Sequence, residues 1–327
     1  MKQFKNILCV IELGKKSNPA LDRAVILAEN SQANLTVITI APSISAAIGA
    51  SEDHISSDEL QTTSLNSDAQ ELETVVKPYQ QRIKIETKVL LGPTFLKVTR
   101  EVLHNAYDLV IKCPESMNWL DRFFSSDDMH LLRKCPCPIW MVKPQSKEPY
   151  NRILVAVDVD DSYPPKELKT HQALNDTLMH LAGSLALTEH AELHVAHAWQ
   201  LEGESALRNA AFVQLPEDKV NAQLVQVHQH HAKILNTLIK DLGAKLGQDT
   251  LNDINPQVHM LKGPARQEIP KLAKALKVDC IVMGTVARTG IPGFIIGNTA
   301  ENILAQIECS VLAIKPPGFV TPVTLEG

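Results

Sequence analysis

The feature that most constrains this chain is an internal repeat, in which three segments of the first half recur in the same order in the second half. The pairs are KNILCVIE (5–12) with NRILVAVD (151–158), LLGPTFLKVTREVLHNAYDLVIK (90–112) with MLKGPARQEIPKLAKALKVDCIVMG (260–284), and RKCPCPIWMVKP (133–144) with AQIECSVLAIKP (305–316). A duplicated unit of about 150 residues is the simplest explanation, and it predicts two copies of one fold.

A polar, proline-containing segment, KPQSKEPYN (143–151), separates the two copies. Such a composition is typical of a linker. We therefore predict a first domain over 1–147, a second domain over 148–316 and a C-terminal tail over 317–327. The length of 327 residues agrees with two domains, because a domain usually has roughly 100–200 residues.

Each copy alternates short apolar runs with longer segments of helical periodicity. In the second copy ILVAVD, AELHVAHAW, PQVHMLKG, DCIVMG and SVLAIK are predicted strands. Their continuous apolar character indicates burial on both faces, and hence a parallel sheet covered by helices. Right-handed crossovers then give two tandem, doubly wound, Rossmann-like α/β domains. Ligands of such sheets bind at the carboxyl ends of the strands, here Asp158–Asp160 and the loop after Met283.

The last predicted strand of each copy, IWMV or VLAI, is apolar and lies at a sheet edge. An apolar edge strand favours aggregation unless another element covers it. We expect the two halves to pair these edges with each other, in a pseudo-twofold sandwich of the two domains. A monomeric pseudo-dimer and a homodimer both stay open.

Composition and charge argue against several classes of protein. The net charge of -5 opposes direct binding to nucleic acid or to an anionic membrane. No apolar run approaches the roughly 18 residues of a membrane span, and the opening MKQFKNILCVIEL lacks the pattern of a secretory signal. The 6 cysteines lie mostly inside apolar runs, as small buried hydrophobes do in a reducing compartment. We therefore predict a cytoplasmic protein.

Several segments carry a family resemblance. ILVAVD, GPA before a helix, DCIVMGTVARTGIPGFIIGNTAENIL and the last apolar strand together resemble the universal stress protein family, and the repeat resembles its tandem-domain members. The resemblance covers nearly the whole chain. It implies a five-stranded parallel sheet in each half, and a role in survival under starvation, oxidative or DNA-damaging stress.

Nucleotide-binding members of that family carry glycine, two residues, glycine, nine residues, then glycine with serine or threonine. The matching positions here are Gly284, Ala287, Gly297 and Asn298, so the spacing is intact while the second and fourth identities differ. The resemblance implies contact with ATP or AMP at this loop of the C-terminal domain. No cofactor is required for the fold.

Gly297 lets a phosphate approach the backbone closely. A helix is expected to begin at Asn298, and the amides of Asn298 and Thr299 would be free to bind an anion because the first amides of a helix have no partner within it. The alternative is structural: Asn298 is a good N-cap, and Glu301 would complete a capping box.

Ala287 and Arg288 act in opposite directions in this prediction. If position 287 requires a positive φ, the loop conformation is less favourable with Ala287 than with glycine, by roughly 1 kcal/mol. Arg288 would offset part of that cost by reaching a phosphate, and its alternative role is a solvated loop charge.

Asp158 closes the first strand of the second copy. By resemblance it faces the base and ribose, and Val159 supplies backbone contacts there. The alternative role of Asp158 is to cap the following loop with Asp160 and Asp161. No metal site is predicted. Magnesium is expected only together with a bound nucleotide, because the acidic residues would repel the phosphates of the nucleotide unless a divalent cation lay between them.

The first copy lacks the loop, because no glycine occurs between Cys113 and Lys134. Asp127 and Asp128 stand where the helix should begin, and Glu12 replaces the strand-end aspartate. We predict no nucleotide binding in this half. An apolar surface or a filled cleft is expected from Trp119, Phe123 and Phe124.

The histidines and the closely spaced cysteines have structural explanations. We expect a solvated helix face for His228, His230 and His231, opposite strand faces and buried roles for His194 and His197, and core packing for Cys135 and Cys137.

No nucleophile elbow, Walker loop or HExxH motif occurs, so no catalytic residue is predicted. A non-catalytic binding or regulatory protein is our main hypothesis. Two alternatives stay open: a slow ATP hydrolase or nucleotide-gated switch, and a carrier of an apolar small ligand in the N-terminal cleft.

Overall fold

Ten strands occur in the computed structural model, which describes residues 4–44, 57–115, 124–146, 148–209, 216–285 and 297–325. In the N-terminal half they are β1 (Asn6–Val10), β2 (Asn34–Ala41), β3 (Ile85–Leu91), β4 (Leu109–Lys112) and β5 (Ile139–Met141). In the C-terminal half they are β6 (Arg152–Ala156), β7 (Glu192–Trp199), β8 (Gln257–Lys262), β9 (Cys280–Gly284) and β10 (Ser310–Ile314).

Helices alternate with these strands, as the periodicity predicts. The N-terminal half has α1 (Pro19–Ser31), α2 (Ser57–Val76), α3 (Thr94–Asn105) and α4 (Ser126–Lys134). The C-terminal half has α5 (Pro165–Glu189), α6 (Glu204–Asn209), α7 (Glu217–Leu246), α8 (Gln248–Ile254), α9 (Ala265–Leu276) and α10 (Asn298–Leu304).

All ten strands belong to one sheet, in the order β3-β2-β1-β4-β5-β10-β9-β6-β7-β8. Neighbouring strands are parallel within each half, so the predicted five-stranded parallel sheets are confirmed. The two halves meet where β5 and β10 pair antiparallel, with Trp140 opposite Leu312. The expected edge pairing is therefore present. The predicted sandwich arrangement of the two domains was wrong, because the paired edge strands place the two halves side by side in one sheet.

Two hydrophobic layers cover the two faces of this sheet, and each layer runs through both halves. Helices α1, α2, α5, α7 and α8 pack on one face, and α3, α4, α9 and α10 pack on the other. Successive residues of a strand enter opposite layers, as Ile7 and Leu8 do in β1. This double burial explains why the strands are continuous apolar runs in the sequence.

Equivalent residues of the repeat make equivalent contacts. The carboxylate of Asp108 accepts hydrogen bonds from the Lys5 and Asn6 amides at 2.7 and 3.1 Å. In the second half Asp279 accepts from the Asn151 and Arg152 amides, at 2.7 and 2.9 Å. Each aspartate thus fixes the amino end of the first strand of its half.

A buried arginine joins the two halves beside the central strands. The Arg23 side chain of α1 is 3% exposed, and its guanidinium pairs with Glu189 of α5 and with Glu148 of the linker. The guanidinium also lies over the rings of Trp140 and Tyr150, 5.2 and 4.0 Å from their centroids. The second oxygen of Glu189 accepts from the Tyr150 amide at 2.8 Å. Arg23 therefore compensates a buried carboxylate that belongs to the other half.

We expect Arg23→Met to lower the free energy of unfolding by about 3–5 kcal/mol, since it leaves the Glu189 charge buried and unpaired. Adding Glu189→Gln should recover a large part of that loss, because the buried charge is then absent. Urea denaturation of both single variants and the double variant measures the coupling. Additive effects would show that the pair contributes nothing beyond its separate members.

Lys315, directly after β10, makes a second contact between the halves. Its Nζ donates to the carbonyl oxygens of Leu132 and Arg133 at the end of α4, and it lies 4.7 Å from the Phe319 ring centroid. Burial lowers the pKa of the Lys315 amine to about 8.

This pKa gives the stability a pH dependence of known sign. The usual pKa is 10.5, so between about pH 8 and pH 10.5 the unfolded chain binds the additional proton. The contribution of Lys315 to the free energy of unfolding should therefore rise with pH in that window, by on the order of 3 kcal/mol. Urea denaturation of the wild type and of Lys315→Met across the window isolates this contribution. Parallel curves for the two proteins would contradict the assignment.

Candidate functional site

A cleft of about 690 Å³ lies at the carboxyl ends of β6, β7 and β9 in the C-terminal half. The chain leaves β6 towards β7 on one side, whereas β9 lies on the other side of β6. The cleft therefore occupies the switch in strand order, where ligands of doubly wound sheets bind. Helices α5, α7, α9 and α10 contribute its other walls.

Asp158 lines the cleft directly after β6, and its local structure is fixed from two sides. Asn175 of α5 accepts from the Asp158 amide at 3.1 Å and donates to its carbonyl oxygen at 2.6 Å. The Tyr163 hydroxyl donates to the Asp158 carboxylate at 2.8 Å, and the His171 ring stacks on Tyr163 at 4.2 Å. The other carboxylate oxygen, Oδ1, accepts from the Asp160 amide at 3.2 Å, and the Asp158 side chain is still 45% exposed.

Val159 is buried and does not line the cleft. Its amide lies 3.4 Å from Nδ1 of His197, which does line the cleft. The Nε2 of His197 lies 2.9 Å from Nδ1 of His231, on α7. Burial lowers the pKa of His197. This imidazole pair forms a polar wall of the cleft.

Gly284 ends β9 in the cleft, and its lack of a side chain has a packing reason. A Cβ there would lie 2.7 Å from Cδ2 of Leu174 on α5. Gly297 also lines the cleft, and its amide donates to the Thr285 carbonyl at 3.2 Å. Thr299, two residues further on, is exposed and lines the same cleft.

Asn298 is not the N-cap of α10, so the alternative of a capping box with Glu301 was wrong. Gly297 is the N-cap, Asn298 is the first helical residue, and no side chain caps the helix. Glu301 does not fold back on the helix start, because its Oε1 accepts from Nε and Nη2 of Arg133 at 2.8 and 2.7 Å. A contact with the other half therefore replaces the local cap.

Two predicted site residues, Ala287 and Arg288, lie outside the residues that the structure describes. Among the described residues that line the cleft, Arg266 on α9 is the one arginine or lysine, and its side chain is exposed. Arg266 was not among the predicted site residues, although it directly follows the GPA at the start of a helix. Tyr163 and the imidazole pair were also not among them, since their proximity depends on packing between elements.

The corresponding position in the N-terminal half is occupied by side chains of the chain itself. Lys112, at the end of β4, forms a buried ion pair with Asp128 of α4. Oδ2 of Asp128 accepts from the Ser125 and Glu115 amides, each at 3.0 Å, and Ser125 caps α4 in return. Backbone amides at this position therefore bind the Asp128 carboxylate, in addition to the charge repulsion that the sequence suggests.

A cavity of about 250 Å³ at the carboxyl ends of the N-terminal strands has a mixed lining, in which Glu12, Asp68, Lys112 and Glu115 lie beside apolar side chains. Phe124 does not line it, because this side chain is buried in the layer of α3 and α4. Trp119 and Phe123 lie outside the described residues.

The predicted histidine roles are correct only in part. His194 is buried and pairs with His259 at 3.0 Å. On α7, His230 is exposed, but His231 is buried at the cleft, and His228 packs on Trp199 at 5.3 Å. The solvated face was wrong for these two, because α7 packs across the end of β7.

Cys135 and Cys137 are buried and form no disulfide, with their Sγ atoms 3.6 Å apart, which agrees with the predicted core packing. Over the described ranges, no three His, Cys, Asp or Glu side chains form a group that could hold a metal. None of the helices described combines the length and the apolar character that crossing a bilayer requires.

The fold and the cleft are those of a tandem α/β protein with a cleft at the strand switch of its second half. The model of the universal stress protein family matches residues 3–143 and again 149–315. The chain therefore belongs to the universal stress protein family, as the resemblance suggested, and membership gives it a role in the stress response.

Named relatives match over the full length. Universal stress protein E of Escherichia coli (strain K12) is 29% identical over 335 residues, which cover 100% of this chain and 98% of the relative. The Universal stress protein E homolog of Haemophilus influenzae is 29% identical over 325 residues, covering 96% and 98%.

Solved structures agree with the fold. A functionally unknown protein from Pseudomonas aeruginosa PAO1 has a TM-score of 0.68 at 27% identity, covering 96% of this chain and 94% of that one. A universal stress protein from Archaeoglobus fulgidus DSM 4304 has a TM-score of 0.62 at 15% identity, covering 96% and 99%, and supports the fold alone.

The packing role of Gly284 can be separated from a ligand role. We expect Gly284→Ala to destabilise the ligand-free protein by about 1–2 kcal/mol, because the new methyl group would overlap Leu174. In a Leu174→Ala background the same change should be neutral, or stabilising by up to about 1 kcal/mol, since alanine restricts the unfolded chain. Urea denaturation measures both. An equal cost in the two backgrounds would mean that Leu174 is not what requires glycine.

Proposed function

We propose that the chain is a non-catalytic, cytoplasmic binding protein of the stress response, and that its C-terminal cleft binds an adenine nucleotide. One observation carries the proposal. Asp158, Gly284 and Gly297, which the family motif relates to nucleotide binding, line a single cleft at the strand switch. The role would be survival under starvation, oxidative or DNA-damaging stress.

The proposed contacts divide between the two ends of the ligand. Asp158 and Val159 would lie on the nucleoside side, where the exposed edge of the Asp158 carboxylate is able to accept from a ribose hydroxyl. The phosphate side would comprise Gly284, Ala287, Arg288, Gly297, Asn298 and Thr299. We add Arg266, because a guanidinium binds phosphate oxygens in a charge-assisted, bidentate manner.

The charges of the cleft favour a ligand with few phosphates. Asp158, Asp160 and Glu202 line it, against the single described guanidinium of Arg266. Each additional phosphate increases the repulsion from these carboxylates unless a divalent cation accompanies it. AMP should therefore bind more tightly than ATP without magnesium.

The polar groups of the cleft support binding over catalysis. His197 bonds His231, and Asp158 already accepts from Tyr163, so these candidate bases are engaged within the protein. A slow ATP hydrolase remains the alternative. The apolar carrier has less support, since carboxylates line the N-terminal cavity. We take the single chain as the binding unit, because β5 and β10 cover each other.

Calorimetric titration of the full chain with AMP, and with ATP with and without magnesium, tests the proposal. We expect Arg266→Ala to weaken AMP binding about tenfold or more, since a hydrogen bond to a charged group contributes about 1.5–3 kcal/mol. Lys271→Ala is the matched control, because Lys271 is exposed on the same helix and pairs with Glu268.

No heat with any of these nucleotides at millimolar concentration would overturn the nucleotide site. Equal losses in the Arg266 and Lys271 variants would remove Arg266 from it. Release of inorganic phosphate from ATP by the wild type would favour the hydrolase alternative.

A further inference from the structure

We propose that Arg133 of the N-terminal half positions the cleft of the C-terminal half, by holding α10 through Glu301. The effect of this contact on ligand affinity rests on the proposed function. The holding of α10 by Arg133 does not depend on that function. The half without a glycine loop would thus be a mechanical support for the half that retains one.

The contact joins the end of α4 to the first turn of α10. Nε and Nη2 of Arg133 both donate to Oε1 of Glu301, at 2.8 and 2.7 Å, and both side chains are 32% exposed. On α10, Thr299, Ala300 and Ile303 line the cleft. A movement of Glu301 therefore moves a cleft wall, since these residues share two turns of one helix.

The helix that carries Arg133 is itself fixed at both ends. At its start, the Lys112–Asp128 ion pair and the Ser125 capping box tie α4 to the end of β4. At its end, Lys315 donates to the carbonyl oxygens of Leu132 and Arg133. A support that holds another element must not move, and these contacts meet that requirement.

The pseudo-twofold relation between the halves makes the contact informative. The alignment of RKCPCP with AQIECS places Arg133 opposite Ala305, and four residues earlier it places Met129 opposite Glu301. The symmetry-related position thus has alanine and methionine, which form no ion pair. The charged contact exists only on the side where it meets the helix of the glycine loop.

Hydrogen–deuterium exchange of the ligand-free full chain tests the holding of α10. We expect Arg133→Gln to speed exchange of the α10 amides about threefold to fivefold, as for the loss of a partly exposed ion pair. Glu301→Gln should do the same, and the double variant should exchange no faster than either single one. Arg152→Gln is the control, because it removes an Arg–Glu pair at the opposite ends of the strands.

AMP titration of the same proteins tests the consequence for binding. We expect both single variants to bind AMP about threefold to fivefold more weakly, and the Arg152 control to bind it as the wild type does. Unchanged α10 exchange in Arg133→Gln would overturn the proposal, whatever the affinity. If the wild type binds no nucleotide, the proposed function fails, and exchange alone decides whether Arg133 holds α10.

Discussion

The antiparallel pairing of β5 with β10 is the contact on which the rest of this structure depends. Each of these strands ends the sheet of its half, so each would expose unpaired backbone groups and an apolar surface. Their pairing converts two five-stranded sheets into one and makes both hydrophobic layers continuous between the halves. Arg23 is then able to compensate Glu189 of the other half, because the joined sheet brings α1 beside α5.

Within this common frame, the two halves use the carboxyl ends of their strands differently. In the C-terminal half, an open cleft of about 690 Å³ lies at the strand ends, and Gly284 at the end of β9 and Gly297 at the start of α10 line it. In the N-terminal half, Lys112 and Asp128 occupy the corresponding place and satisfy its amide donors internally. A buried, hydrogen-bonded ion pair is costly to open, since separation would leave both charges uncompensated. The same fold therefore has a large cleft in one half and, in the other, a smaller cavity beside an internal ion pair.

The sequence predicts the parts of this structure that depend on local pattern. Continuous apolar runs identify the strands, the repeat identifies two copies, and an apolar last strand implies that β5 and β10 pair. The errors concern tertiary contacts. Glu301 completes a capping box by spacing alone, but Arg133 from the other half takes its carboxylate. His231 looks solvated in QVHQHHAK, but the path of α7 across β7 buries it against His197. Neither partner is a neighbour in sequence, so neither contact has a local signal.

The central pairing explains physically why the N-terminal copy is needed beside the C-terminal one. Without the N-terminal half, β10 would become an apolar edge, the amine of Lys315 would lose its two carbonyl acceptors, and Glu301 would lose its arginine. These losses would affect elements beside the cleft. Strand β10 pairs with β9, whose end lines the cleft, and α10 forms a wall of the cleft. A domain whose own Lys112–Asp128 ion pair occupies its strand ends thus still supports the geometry of its neighbour's cleft, through backbone pairing and a few charged side chains.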